Sequence, residues 1–182
     1  MGLVVLGLDI STRIVGYTIL EDKKLIVNDH IDLSKEEKNL YLKTETVIDH
    51  ISSKFIEINR RPDAIFIEQP AYRYNKSTAE TIYKLVSFNS KCSYGLYRTY
   101  CQEPEHIVAS TARKKCGLTI RKNGINAKDQ VFDFLSKQEV FKDKEWPRKR
   151  TGKLKDYVLD ELDSYIIALA GYLSLRGNKG IC

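Results

Sequence analysis

Four acidic residues stand where charge is normally excluded. Asp9 lies in the run Gly7-Leu8-Asp9-Ile10-Ser11-Thr12, near the end of an almost unbroken apolar stretch. Glu68 closes Ile65-Phe66-Ile67-Glu68, directly before Gln69-Pro70. Asp160 and Asp163 are three residues apart and so share one face of any helix that carries them. Each has an ordinary structural explanation. Asp9 could be a turn former bonding backbone amides, Glu68 the partner of an arginine, and Asp160, with Asp156 and Glu161, a favourable neighbour of a helix dipole. Taken together they point elsewhere, because carboxylates converging on one spot repel unless divalent cations hold them, and oxygen ligands suit hard cations. Two Mg²⁺ ions about 4 Å apart are a standard arrangement for phosphodiester cleavage, one activating water and the other stabilising the leaving oxygen. Such chemistry needs no nucleophilic side chain. His30, His50 and His106 show no metal-ligand spacing, and no Ser/His/Asp or Cys/His arrangement is legible, so the histidines are assigned to core or surface.

The elements that must position these acids follow from the hydropathy pattern. Leu3 to Ile10 is continuously apolar enough for a strand buried on both faces. Ile14 to Leu20 and Leu25 to Leu33 extend it into an antiparallel meander through the polar turn Glu21 to Lys24. Ser34 and Glu37 form a capping-box pattern ahead of a helix whose stripe is Leu40, Val47, Ile48, Ile51, Phe55 and Ile58, stopped at Arg61-Pro62. Ala64 to Glu68 is a short strand, and Ser77 to Glu80 is a second capping box, opening a helix to about Tyr100. A fifth strand is expected at Ile107 to Ala109, with short helices at Ser110 to Cys116 and Lys128 to Gln138 around a loop at Gly117 to Asn126. The last helix carries the stripe Leu159, Leu162, Ile166, Ala170 and Leu173 and ends at Gly177.

A chain of 182 residues suits one domain, and 42% hydrophobic with 30% charged residues is enough to bury a core and solvate a surface. Its apolar runs are far shorter than the roughly 20 residues a bilayer span requires, and the N-terminus lacks a secretion-signal pattern, so a cytoplasmic protein is expected. Cys92, Cys101, Cys116 and Cys182 lie far apart with no Cys-x-x-Cys pair, which argues for reduced thiols rather than zinc or disulfides. The formal net charge is +6, and its distribution is uneven. Arg113, Lys114, Lys115, Arg121, Lys122 and Lys128 occur with no acid between them. Lys142, Lys144, Arg148, Lys149, Arg150, Lys153 and Lys155 follow. Two such runs favour a polyanionic partner over an ordinary solvated face.

In order, an apolar strand ending in Gly-x-Asp-x-Ser/Thr, a strand ending in Ile-Glu-Gln and a late helix with Asp-x-x-Asp resemble the RuvC-like Holliday junction resolvases across nearly the whole chain. The resemblance implies an α/β RNase H-like fold: a five-stranded mixed sheet, three antiparallel N-terminal strands and then parallel ones, flanked by helices. It also implies a homodimer, paired nicks across a four-way DNA junction, and Asp9, Glu68, Asp160 and Asp163 as ligands of Mg²⁺, with Mn²⁺ able to substitute and no small-molecule cofactor. The family has a supporting basic residue before the final helix, for which Lys128 and then Lys114 are the candidates. It also has an aromatic wedge after the glutamate strand, here Tyr72 or Tyr74 with Arg73 and Lys76 beside them as DNA contacts. Ile10-Ser11 replaces the Pro-Gly of bacterial cellular members and residues 113 to 155 are expanded and more basic, pointing to a phage or viral-type member with relaxed selectivity for branched DNA. Two other readings remain. Gly-x-Asp-x-Ser/Thr also resembles the phosphate loop of actin-like ATPases and sugar kinases, although their nucleotide lies between two such domains. A non-catalytic branched-DNA-binding protein would use the basic surface and leave its acids structural.

Overall fold

The computed structural model describes residues 2–36, 38–70, 78–121 and 125–177. Three strands open the chain, β1 (Val4–Ile10), β2 (Ile14–Glu21) and β3 (Lys24–Asp32). They are followed by α1 (Leu40–Glu57), β4 (Ala64–Glu68), α2 (Ala79–Tyr100) and β5 (Glu105–Ile107). Two short helices, α3 (Ala109–Lys115) and α4 (Ala127–Leu135), and a single 3-10 turn at Glu139–Phe141 precede α5 (Asp156–Gly177). The sheet order is β3-β2-β1-β4-β5, antiparallel across β1, β2 and β3 and parallel from β1 through β4 to β5. This is the mixed five-stranded α/β sheet expected.

Its centre is β1, whose apolar run is explained by neighbours on both edges and helices on both faces. On one face Leu6, Leu8, Tyr17 and Ile19 pack with Val47, Ile51 and Phe55 of α1 and Phe88, Cys92 and Leu96 of α2. On the other, Val5, Leu20 and Phe66 pack with Leu162, Ile166 and Ala170 of α5, which Ala112 of α3 and Val131 and Leu135 of α4 cover in turn. The last helix is therefore buried on nearly every side through its middle, not along the single stripe its periodicity predicts. Asp22 and Lys23 both adopt positive φ, the backbone a two-residue hairpin between antiparallel strands demands.

Several boundaries differ from expectation. The cap of α1 is Asn39, whose side chain accepts from the Tyr41 amide, so Ser34 does not open it; Glu37 lies outside the described residues. Thr78 caps α2 through the Thr81 amide, and Ser77 is outside the described residues. β5 is two residues earlier than its apolar content suggests, because pairing with β4 selects Glu105, His106 and Ile107 regardless of hydropathy. α3 and α4 each begin one residue early, and α4 stops at Leu135, where Ser136 caps it. No helix among the described residues is long and apolar enough to cross a membrane.

Candidate active site

The sheet brings the ends of β1 and β4 side by side, because the parallel register sets Leu8 against Ile67 and leaves Asp9 and Glu68 next along each strand. Bringing α5 to them requires a close approach. Gly16, paired with Asp9 across β1 and β2, lies against the Asp160 carbonyl, and a Cβ there would overlap it. Gly7 meets the backbone of Ala168 in the same way two turns further on. These glycines let the helix rest directly on the sheet, so Asp160 and Asp163 descend to the strand ends.

Carboxylate oxygens of Asp9, Glu68 and Asp163 come within 4.8 Å of one another. Asp160 joins them through Lys128, at the N-terminal end of α4, whose ammonium lies 3.1 Å from Asp160 Oδ1 and 3.8 Å from Asp163 Oδ2. Arg113 of α3 donates through Nη2 to Asp163 Oδ1 at 3.0 Å. Its buried Nε has no hydrogen-bond partner among the described residues.

The electrostatics record the crowding. Enclosure raises the Asp9 pKa well above the carboxylate range, and the negative charges of Glu68, Asp163 and Asp160 push it further. Glu68 is pushed up to about 7, first by burial and then by Asp163, with Arg113 and Lys128 pulling against the shift. Burial also raises Asp160, opposed by Lys128. For Lys128, burial alone would depress the ammonium, yet the fields of Asp160, Asp163 and Asp9 win and the net shift is upward. The ammonium therefore remains charged at neutral pH. Four carboxyl groups share two basic side chains, and the imbalance falls on Asp9 and Glu68, whose ionisation is disfavoured. A divalent cation fits this donor set, since it consists of carboxylate oxygens alone and cation binding would relieve the repulsion.

Of the two candidate lysines, only Lys128 reaches the cluster; Lys114 lies on the exposed side of α3. Arg113, expected on the basic surface, turns inward to Asp163. The other cations remain outside. Lys115 donates to Ser174 Oγ at 2.5 Å, Lys149 pairs with Asp156 at 2.7 Å, Arg148 bonds the Gly152 carbonyl at 2.9 Å, and Arg121 and Arg150 are exposed. Tyr72, Arg73, Tyr74, Lys76 and Lys122 lie outside the described residues. Sequence reasoning missed Arg113 as a neighbour of the acids. It also missed Glu161, which is buried and held by His30 and Lys144 on the side of the same helix toward β3.

No protein-family model matches the sequence, and no curated protein does. The fold has clear structural relatives. Thermus thermophilus RuvC is similar both alone (15% identity, 97% of each chain, TM-score 0.64) and in complex with Holliday junction substrate (15% identity, 96% of each chain, TM-score 0.64). The yeast mitochondrial Holliday junction resolvase Ydc2 superposes with TM-score 0.58 at 17% identity over 96% of this chain and 82% of that one. At such identities the likeness is one of fold, and the chain has a RuvC-like, RNase H-like α/β fold.

Proposed function

We propose that the chain is a cytosolic, single-domain, divalent-cation-dependent endonuclease that resolves four-way DNA junctions as a homodimer by paired phosphodiester hydrolysis, in a phage or viral-type branch. The observation that carries the reading is the convergence of Asp9, Glu68 and Asp163 at the strand ends, with Asp160 and Lys128 beside them. Asp9 and Glu68 are half-buried with their ionisation disfavoured, whereas structural carboxylates are normally neutralised by their own chain. The similar structures, a Holliday junction resolvase and a RuvC in complex with Holliday junction substrate, support a branched-DNA substrate.

Asp9, Glu68 and Asp163 would hold the cation, with Asp160 completing the set when a second binds. Bound Mg²⁺, or Mn²⁺ in its place, supplies an activated water and offsets charge on the leaving oxygen. The chain's own residues do the rest. Lys128 keeps a fixed positive charge beside the acids, suited to a scissile phosphate as charge accumulates on it. Arg113 orients Asp163 through its Nη2. The exposed cations of residues 113 to 155 would meet the DNA backbone, with Tyr72 or Tyr74 proposed as the wedge.

The test is nicking of an end-labelled four-way junction beside a linear duplex of the same sequence. Cleavage of the junction that requires Mg²⁺, stops with EDTA and stops in Asp163→Asn while junction binding persists is the expected result. Equal cutting by Asp163→Asn, or none by the wild-type chain with Mg²⁺ or Mn²⁺, would overturn the proposal.

A further inference from the structure

Glu161 stands between two of the acids in sequence, yet it turns away from them and is 5% exposed. Its Oε1 meets His30 Nδ1 at 2.8 Å and its Oε2 accepts from Lys144 Nζ at 2.7 Å. Lys144 donates also to Asn28 Oδ1 at 2.7 Å, and Asn28 Nδ2 donates to the Glu161 carbonyl at 2.7 Å. Tyr157, one turn earlier on α5, stacks on the His30 ring at 3.9 Å between centroids. Asp29, His30 and Glu161 could offer a metal three ligand atoms within 4.8 Å. The Lys144 ammonium already serves as the cation there, and both Glu161 oxygens are engaged, so the cluster is a closed ion-pair network. A buried carboxylate and ammonium are costly to desolvate, and removing one partner exposes the full cost of the other.

What the network joins is informative. Lys144 belongs to the segment 142–155, which carries seven of the chain's cations and leads straight into α5. Trp146 packs edge-on against Phe132 at 5.2 Å. Beyond it the chain doubles back: Arg148 bridges Leu154, the Lys149 amide donates to the Lys153 carbonyl at 2.7 Å and the Lys155 amide to the Pro147 carbonyl at 3.0 Å. Gly152 takes φ 81° at the turn. The hairpin presents Arg150, Lys153 and Lys155, exposed and with no carboxylate paired to them among the described residues.

We propose that Glu161 is a positioning residue: with Lys144 and His30 it clamps segment 142–155 to the junction of β3 with the helix bearing Asp160 and Asp163, holding the hairpin as a rigid cationic surface for the sugar-phosphate backbone of duplex DNA. A preorganised surface binds more tightly than a mobile one because less order is lost on binding. Only the choice of DNA as partner rests on the nuclease reading; the clamp does not.

Two readouts test it without cleavage. Trypsin digestion of the DNA-free chain, followed by mass spectrometry, reports opening of the segment; Glu161→Gln and Lys144→Met should each speed cutting between residues 148 and 155 by about tenfold, as local opening becomes more populated. Binding of a linear duplex of about 30 base pairs in EDTA should weaken roughly tenfold, with a salt slope shallower by about 1 to 2. Lys144 is partly exposed, so Lys144→Met decides the matter if Glu161→Gln fails to fold. Wild-type digestion of this segment in the variants would overturn the clamp. Faster digestion with unchanged duplex affinity and salt slope would overturn its role in binding DNA. A wild-type chain unable to nick junctions would remove the nuclease reading and leave both of these results intact.

Discussion

One turn of α5 serves two acidic clusters with opposite charge economies. At the ends of β1 and β4, Asp9, Glu68, Asp160 and Asp163 face Lys128 and Arg113, and burial and mutual repulsion raise Asp9, Glu68 and Asp160 from their ordinary values. Toward β3, Glu161 is more enclosed than Asp160, yet both its oxygens have partners from the chain itself. Burial therefore does not distinguish an acidic cluster left with disfavoured charge from one closed by its own partners. The distinction is whether the protein neutralises its own acids or leaves that to something it binds.

The comparison can be broken in four ways. The largest effect is expected on cleavage: Asp9→Asn should lower single-turnover junction nicking about a thousandfold or more, a loss of roughly 4 kcal/mol in transition-state stabilisation. Glu161→Gln should keep the rate at saturating DNA within about threefold. Equal losses in both variants would mean that the two clusters do not divide the work. Next is folding stability by urea titration. Glu161→Gln leaves Lys144 and His30 without their anion and should cost about 3 kcal/mol.

Asp9→Asn should do the opposite in EDTA, because burial and the neighbouring acids disfavour the Asp9 carboxylate and asparagine is neutral without taking up a proton. A melting temperature about 3 °C higher is expected, measured by scanning calorimetry; a lower one would show that the Asp9 carboxyl is favourably placed without a cation. The smallest effect is on pH. Since the Glu68 pKa rises from 4.5 to about 7 on folding, the folded state holds its proton more tightly, and the stability this contributes is present below pH 4.5 and lost as pH rises through about 7. In EDTA the wild-type chain should lose stability across that window relative to Glu68→Gln, and saturating Mg²⁺ should remove the difference.

The two clusters were not equally legible in the sequence. Asp9 and Glu68 announce themselves because each closes an apolar run that becomes a central strand, where an acid is conspicuous. Asp160 and Asp163 follow from helical spacing. Glu161 does not: it reads only as a possible neighbour of the helix dipole, because Asn28 and His30 of β3 and Lys144 reach it from parts of the chain that no local spacing connects. His30 was assigned to core or surface for a related reason: its partners lie 131 residues away, beyond any local spacing rule. Arg113 was hidden in a basic run, and only the packing of Ala112 against α5 turns it inward. Likewise Gly16 carries no motif, although its lack of a Cβ admits the Asp160 carbonyl beside Asp9.

The sheet order was legible for a simpler reason. A continuous apolar strand must be central, and the short polar turn Glu21 to Lys24 makes the second and third strands antiparallel. β5 escaped because a three-residue edge strand is defined by its hydrogen bonds, not its hydropathy.

The most direct test is metal binding itself. Mn²⁺ titrated into the DNA-free protein and followed by electron paramagnetic resonance should be captured by the wild-type chain and by Glu161→Gln. Asp9→Asn should lose most of that capture. Equal binding by the wild-type chain and Asp9→Asn, or loss only in Glu161→Gln, would contradict the assignment of the cation to Asp9, Glu68 and Asp163.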